Sequence, residues 1–201
     1  MTDYLGVKYK DKEYVFLKDS NTREGILKEV FLQEEYKSLD VKDKIVLDIG
    51  CGAGETAIYF SLKGAKFVFG IDINKSYLDS GKTNLENNKI ENVELIQIST
   101  DIQTNLEMVT NYIRERYPND KLVMKLDCEG GEYFYLLGSL PTTLKQYKEI
   151  IAEVHGDMQS IYARMELLGF DISVIDSKII KIFDSDKLKA YLTMIQLRLR
   201  E

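Results

Sequence analysis

Residues Ile45 to Thr56, reading IVLDIGCGAGET, are the stretch that decides the fold. An apolar run leads into Asp48, and Gly50, Gly52 and Gly54 then alternate ahead of a helix-like segment, Glu55 to Leu62. Glycines lack a Cβ, so the backbone can turn tightly and a ligand can lie against its peptide groups. The stretch therefore reads as a strand turning into a helix at an open corner. Its spacing, D-x-G-x-G-x-G, is not the G-x-G-x-x-G of dinucleotide-binding dehydrogenases, and no Gly-Lys-Ser/Thr ending marks a P-loop.

A second acid narrows the reading. Phe67 to Ile71 (FVFGI) forms another apolar run, and it ends in Asp72, 24 residues after Asp48. In an open α/β sheet that position lies at the carboxyl end of the neighbouring strand, where a carboxylate can accept both ribose hydroxyls of an adenosine. The pairing resembles the S-adenosylmethionine (SAM) site of the Rossmann-like methyltransferases, with a purely structural glycine turn as the alternative. The resemblance implies SAM as cofactor, contacted by Asp48, Gly50, Cys51, Gly52, Gly54, Asp72 and Ile73. An acid just beyond the third strand is where such folds meet the adenine amino group. This makes Asp101 a further candidate, with a helix cap as its other reading.

Composition sets the outer bounds. The chain has 201 residues, 44% hydrophobic and 30% charged, which suits one ordinary globular α/β domain with a modest addition. Its formal charge of −6 gains nothing from the phosphate attraction that supplies much of nucleic-acid affinity, so a nucleic-acid partner is disfavoured. The segment MTDYLGVKYK lacks the apolar core of a signal peptide, and no run is long enough to cross a bilayer. A cytoplasmic protein with no membrane partner is expected. Cys51 and Cys128 are too few for a disulfide framework or zinc site; two reduced residues beside a cofactor, or one disulfide, are the readings left open.

Outward from the glycine corner, strands alternate with helices: Ile45 to Ile49, Phe67 to Ile71, Val93 to Ile98, Leu122 to Leu126 and Ile150 to Val154 are the strands. This pattern implies a mostly parallel twisted sheet with helices on both faces. One helix carries Leu136, Leu137 and Leu140, and another runs from Met158 to Leu168. Phe170 to Ile175 and Ile179 to Phe183, joined through Asp176-Ser177-Lys178, read as a terminal antiparallel pair. The tail from Leu188 to Leu199 suits either a helix or a strand. Residues 1–42 read as a hairpin over 4–18, turning at Asp11-Lys12, then a helix up to about Leu39 opened by the capping box Asn21-x-x-Glu24. This front piece is expected to pack on a SAM-binding domain over 43–201, within one compact domain.

The second informative stretch is Lys125-Leu126-Asp127-Cys128-Glu129-Gly130-Gly131-Glu132. One cation and three carboxylates directly after a buried strand are costly unless they pair, hydrogen-bond or meet a ligand. The pattern K-x-D-x-E-G-x-E resembles the signature of the FkbM family of SAM-dependent methyltransferases. The resemblance runs from roughly Asp43 to His155. It departs from that family in the glycine loop, where Cys51-Gly52-Ala53-Gly54 replaces the usual Asn. The resemblance implies a class I methyltransferase fold and methyl transfer to a hydroxyl, on a sugar or small metabolite, so that a small-molecule or glycan acceptor is expected. Asp127, which also borders the cofactor, Glu129 and His155 are the candidate catalytic residues, with Asp127 or Glu129 positioning the acceptor and His155 or Glu129 as base. No metal is assigned, although Asp127, Glu129, Glu153 or His155 could hold a divalent ion, since hard cations favour oxygen ligands. A nucleic-acid or protein methyltransferase, or an inactive SAM-binding module, is the alternative.

Overall fold

The structure is a computed structural model that describes residues 3–19, 21–22, 24–98, 102–181 and 189–200. Within it the chain divides into two compact units, residues 1–99 and 100–201. The strands are mostly parallel, an antiparallel pair ends the chain, and helices flank them: an α/β Rossmann-like architecture.

The first unit is built on three parallel strands, β3 (Ile45–Ile49), β4 (Phe67–Asp72) and β5 (Val93–Gln97), with β4 in the middle. All five residues of β3 are buried, as expected where an apolar run is covered on both faces. Helix α2 (Glu55–Leu62) follows β3 and α3 (Lys75–Asn88) follows β4. Asn74 caps α3, its side chain accepting the Ser76 N–H at 3.0 Å.

A hairpin, β1 (Tyr4–Tyr9) and β2 (Lys12–Leu17), precedes these strands. Its turn falls on Lys10 and Asp11, one residue earlier than expected, with Lys10 at φ 54°. The expected capping box does not form. Asn21 instead sends its amide to the hydroxyls of Ser76 and Ser80 on α3, at 2.8 Å each. Asp19 takes the N–H groups of Asn21 and Thr22. These tertiary bonds outcompete the local cap. The helix is correspondingly short: α1 (Glu24–Leu27) widens into a π turn, Lys28–Leu32, and stops well before Leu39.

The second unit opens with α4 (Ile102–Arg116), and its strands run in the order β6 (Leu122–Leu126), β7 (Tyr147–His155), β9 (Lys189–Leu199), β8 (Phe170–Lys181). The helix expected around Leu136 and Leu140 is broken into a π turn, Phe134–Gly138, and α5 (Pro141–Leu144). Pro141 cannot continue a helix but can begin one, so Leu140 is left 57% exposed. Helix α6 (Gln159–Leu167) follows β7.

The tail is a strand, and the terminal pair differs from expectation. Residues 176–178 do not turn; they continue β8, with a register shift between Val174 and Asp176. The extra residue is absorbed as a bulge, and the partner of β8 is β9. Ile195 and Leu197 on β9 are fully buried, because pairing on both edges is worth more to this segment than an isolated helix would be. Ile182 and Phe183 of the expected second strand lie outside the described residues.

Candidate functional site

In the first unit, the glycine corner is a backbone object. Gly50, Gly52 and Gly54 take φ values of 73°, 56° and 82°, the left-handed region that side chains disfavour. Gly50 and Cys51 both donate their N–H to the Ile71 carbonyl, at 2.9 and 3.1 Å, which ties the corner to β4. Buried Asn84 of α3 braces it from behind, donating to the Ala53 carbonyl at 2.9 Å while accepting the Leu17 N–H of the hairpin. Asp48 is fully buried and takes a short hydrogen bond from the Thr56 hydroxyl. It supports the corner from inside.

Asp72 stands at the mouth. Its Oδ2 accepts the Gly52 N–H at 3.1 Å and its Oδ1 the Asn74 N–H at 2.8 Å. Each carboxylate oxygen accepts up to two hydrogen bonds, so this half-buried group retains acceptor capacity for a diol. Next to it Ile73 is 62% exposed, an apolar face at a polar strand end. Open glycine backbone, a carboxylate with spare lone pairs and a bare aliphatic side chain together fit the ribose and base of an adenosyl group. Asp101 lies outside the described residues.

In the second unit, the loop after β6 wraps around one carboxylate. Glu132 is fully buried; its Oε1 accepts the Cys128 N–H at 2.8 Å and its Oε2 the Gly130 N–H at 3.0 Å. To close on it the loop takes left-handed turns at Glu129 (φ 54°) and Gly130 (φ 96°). A non-glycine residue there is held by its surroundings against its own preference. His155, at the end of β7, stands with Nδ1 3.4 Å from Glu132 Oε2 and Nε2 3.5 Å from Glu129 Oε2. At these separations charge attraction matters more than hydrogen-bond alignment. Lys125 is buried at the end of β6 with Nζ 3.8 Å from Asp127 Oδ2.

Glu132 beside the ring raises His155 from its ordinary value to about 9, outweighing the burial that would lower it; Asp127 and Glu129 add to the rise. Burial alone would lift the Glu132 carboxyl, but the His155 ring and the Cys128 N–H hold it below the usual carboxylate range. His155 is therefore an imidazolium at neutral pH. In that form it donates protons rather than taking them. Glu129, 91% exposed, is the most open carboxylate of this group, with Asp127 partly exposed. Burial, then the Glu132 charge, pushes the Cys128 thiol well up, and both cysteines are free. Among the described residues, Asp127, Glu153 and His155 offer ligand atoms within 4.8 Å of one another. A cation there would meet the imidazolium and the buried Lys125.

The structure thus gathers Asp48, the three glycines, Cys51, Asp72 and Ile73 into one group, and Asp127, Glu129 and His155 into another. Sequence reasoning gave Glu132 no role beyond its place in the motif. It missed Thr56 and Asn84 altogether, since neither carries a local pattern that distinguishes it from an ordinary helix residue.

Known proteins narrow the family. The model of the ribosomal protein L11 methyltransferase family (PrmA) matches residues 31–115. The ribosomal protein L11 methyltransferase of Shewanella sediminis is 33% identical over 125 residues, 59% of this chain and 40% of that protein. The chain belongs to the SAM-dependent methyltransferase superfamily. It spans about 40% of the length of that relative. Among solved structures, the ribosomal protein L11 methylase of Lactobacillus delbrueckii superposes with a TM-score of 0.52 at 18% identity, covering 84% of this chain and 76% of its own. A protein solved in complex with SAH superposes with a TM-score of 0.60 at 14% identity, covering 96% and 56%. These likenesses give the Rossmann-like class I methyltransferase fold.

Two expectations change. The matching family model is that of PrmA, a different family from the FkbM one that residues 125–132 resemble. The relatives are named for a ribosomal protein as their substrate, which overturns the expectation of a small-molecule or glycan acceptor. Among the described residues, no helix is long and apolar enough to cross a membrane.

Proposed function

We propose that the chain transfers a methyl group from SAM to a protein acceptor. The observation that carries the cofactor half is the Asp72 carboxylate, tethered by the Gly52 and Asn74 N–H groups beside three left-handed glycines. The protein acceptor rests on relatives named for methylating a ribosomal protein. Asp72 would hold the ribose diol, Ile73 would cover the base, and the Gly50 to Gly54 backbone would lie against the rest of the adenosyl group. Asp48 sets the corner's shape through Thr56.

When bound, SAM supplies an electrophilic methyl on a sulfonium whose leaving group needs no acid. What remains for the protein is to orient the acceptor atom and take up its proton. Glu129 is assigned that proton, because its carboxylate is accessible while His155 already carries one. His155 and Asp127 would position the acceptor. The K-x-D-x-E-G-x-E pattern supports this assignment by its likeness to another methyltransferase family.

The test uses tritiated-methyl SAM with purified ribosomal proteins, separated by gel afterwards. Label in one protein band that depends on Glu129 and Asp72 is expected. Label in no protein at all, from enzyme that binds SAM by calorimetry, would sink the acceptor reading.

A further inference from the structure

The unabsorbed feature of the second unit is Glu132, the fully buried acid of the loop, which meets both backbone N–H groups and the ring. We propose that Glu132 is a positioning residue: its carboxylate gathers the Cys128 and Gly130 N–H groups on one side and His155 Nδ1 on the other, so that Nε2 faces Glu129 and steers its carboxylate toward the acceptor. The inference rests on the reading of Glu129 as the proton acceptor.

Geometry supports each link. Two N–H groups from residues two apart converge on one carboxylate, at 2.8 and 3.0 Å, which is a closed clamp and not a surface contact. The clamp is what the left-handed Glu129 backbone requires, since that φ persists only where neighbours enforce it. On the far side Nδ1 is the ring atom nearest Glu132, and the opposite ring atom, Nε2, is the one nearest Glu129. A ring held at Nδ1 by a buried anion has a fixed orientation, with its Nε2–H turned toward Glu129. The charged groups around the ring are Glu129 and Glu132 of the loop, Asp127 at the end of β6 beside Lys125, and Glu153 on β7 itself. Only Glu132 among them has no exposure to solvent, so its charge is the least screened.

His155 is the only histidine in the chain, so ring-nitrogen NMR of the full-length, histidine-labelled protein reports this site alone. The wild-type ring is expected to titrate near pH 9. In Glu132→Gln the midpoint should fall by more than about one pH unit toward the ordinary value near 6.5, and in Glu129→Gln by less. An unchanged midpoint in Glu132→Gln, or a larger fall in Glu129→Gln, overturns the proposal. Should Glu132→Gln not fold, the wild type decides: a midpoint at or below about 6.5 removes the clamp on the ring. The measurement needs neither SAM nor acceptor. A silent acceptor panel together with a wild-type midpoint near 9 would therefore count against the acceptor reading and leave Glu132 in place.

Discussion

The glycine corner and the acidic loop follow strands of the same kind, yet they are stabilised by opposite means. At the corner, Gly50, Gly52 and Gly54 take left-handed angles that cost glycine little; backbone bonds from Gly50 and Cys51 to Ile71 tie it to β4, with the side chains of Asp72 and Asn84 around it. In the loop, Glu129 takes a left-handed angle that glycine would prefer, and what fixes it is a buried side chain, Glu132. The first arrangement costs little backbone strain. The second stores strain at a non-glycine residue and sets a histidine between two glutamates, so it should respond to base and to single substitutions of those glutamates.

Changes that break the corner sterically should cost most. Gly54→Val places a β-branched residue at φ 82° with α3 packed close behind, its Cβ 3.6 Å from the Gly81 Cα. Backbone strain and overpacking together are expected to remove about 4 kcal/mol of stability and to abolish SAM binding. Urea denaturation and calorimetry check the two effects separately. A folded variant with wild-type SAM affinity would mean that the corner does not hold the cofactor. Next in size is Glu132→Ala, which leaves His155 without its buried partner and frees two N–H groups. A loss of about 3 kcal/mol is expected from the urea midpoint.

The same contrast explains what could be read in the sequence. Strands β3 and β6 end where the residues alone place them, since a mostly apolar run bounded by charge or glycine has one reading. Asp72 was legible because a carboxylate at a strand end is a local signal. Glu132 was visible as part of a motif but not as a clamp, because its role depends on a histidine 23 residues away on another strand. Asn21 misled for the same reason. Its spacing to Glu24 satisfied a helix-start rule, but Ser76 and Ser80 from α3 claimed its amide. The tail could not be resolved from periodicity, and the two strand edges offered by β7 and β8 decided it.

The acidic loop should show a pH response of its own, centred on His155. His155 is raised in the folded chain to about 9, above its unfolded value of about 6.5. Its contribution is therefore fully present below about 6.5 and is lost as pH rises through about 9. With allowance for the ring's partial exposure, stability should fall by about 2 kcal/mol across that window. His155→Asn should flatten the slope of urea midpoint against pH. A wild-type profile level from pH 6 to 10 would show that the ring gains nothing from its two glutamates.

Glu129→Gln should have the smallest effect on folding and is the sharpest probe of the comparison. The side chain is 91% exposed, so the lost attraction to His155 is screened and the stability change should stay within about 0.5 kcal/mol. Glutamine is nearly isosteric and keeps the loop's shape, while its amide cannot take a proton. If the loop exists to present a base, methyl transfer should slow about 100-fold with SAM affinity unchanged. If it exists only to close the end of β6, turnover should follow stability and barely move. Stability and turnover part company only when the strain at Glu129 serves chemistry, because a purely structural turn would be better made with glycine at that position.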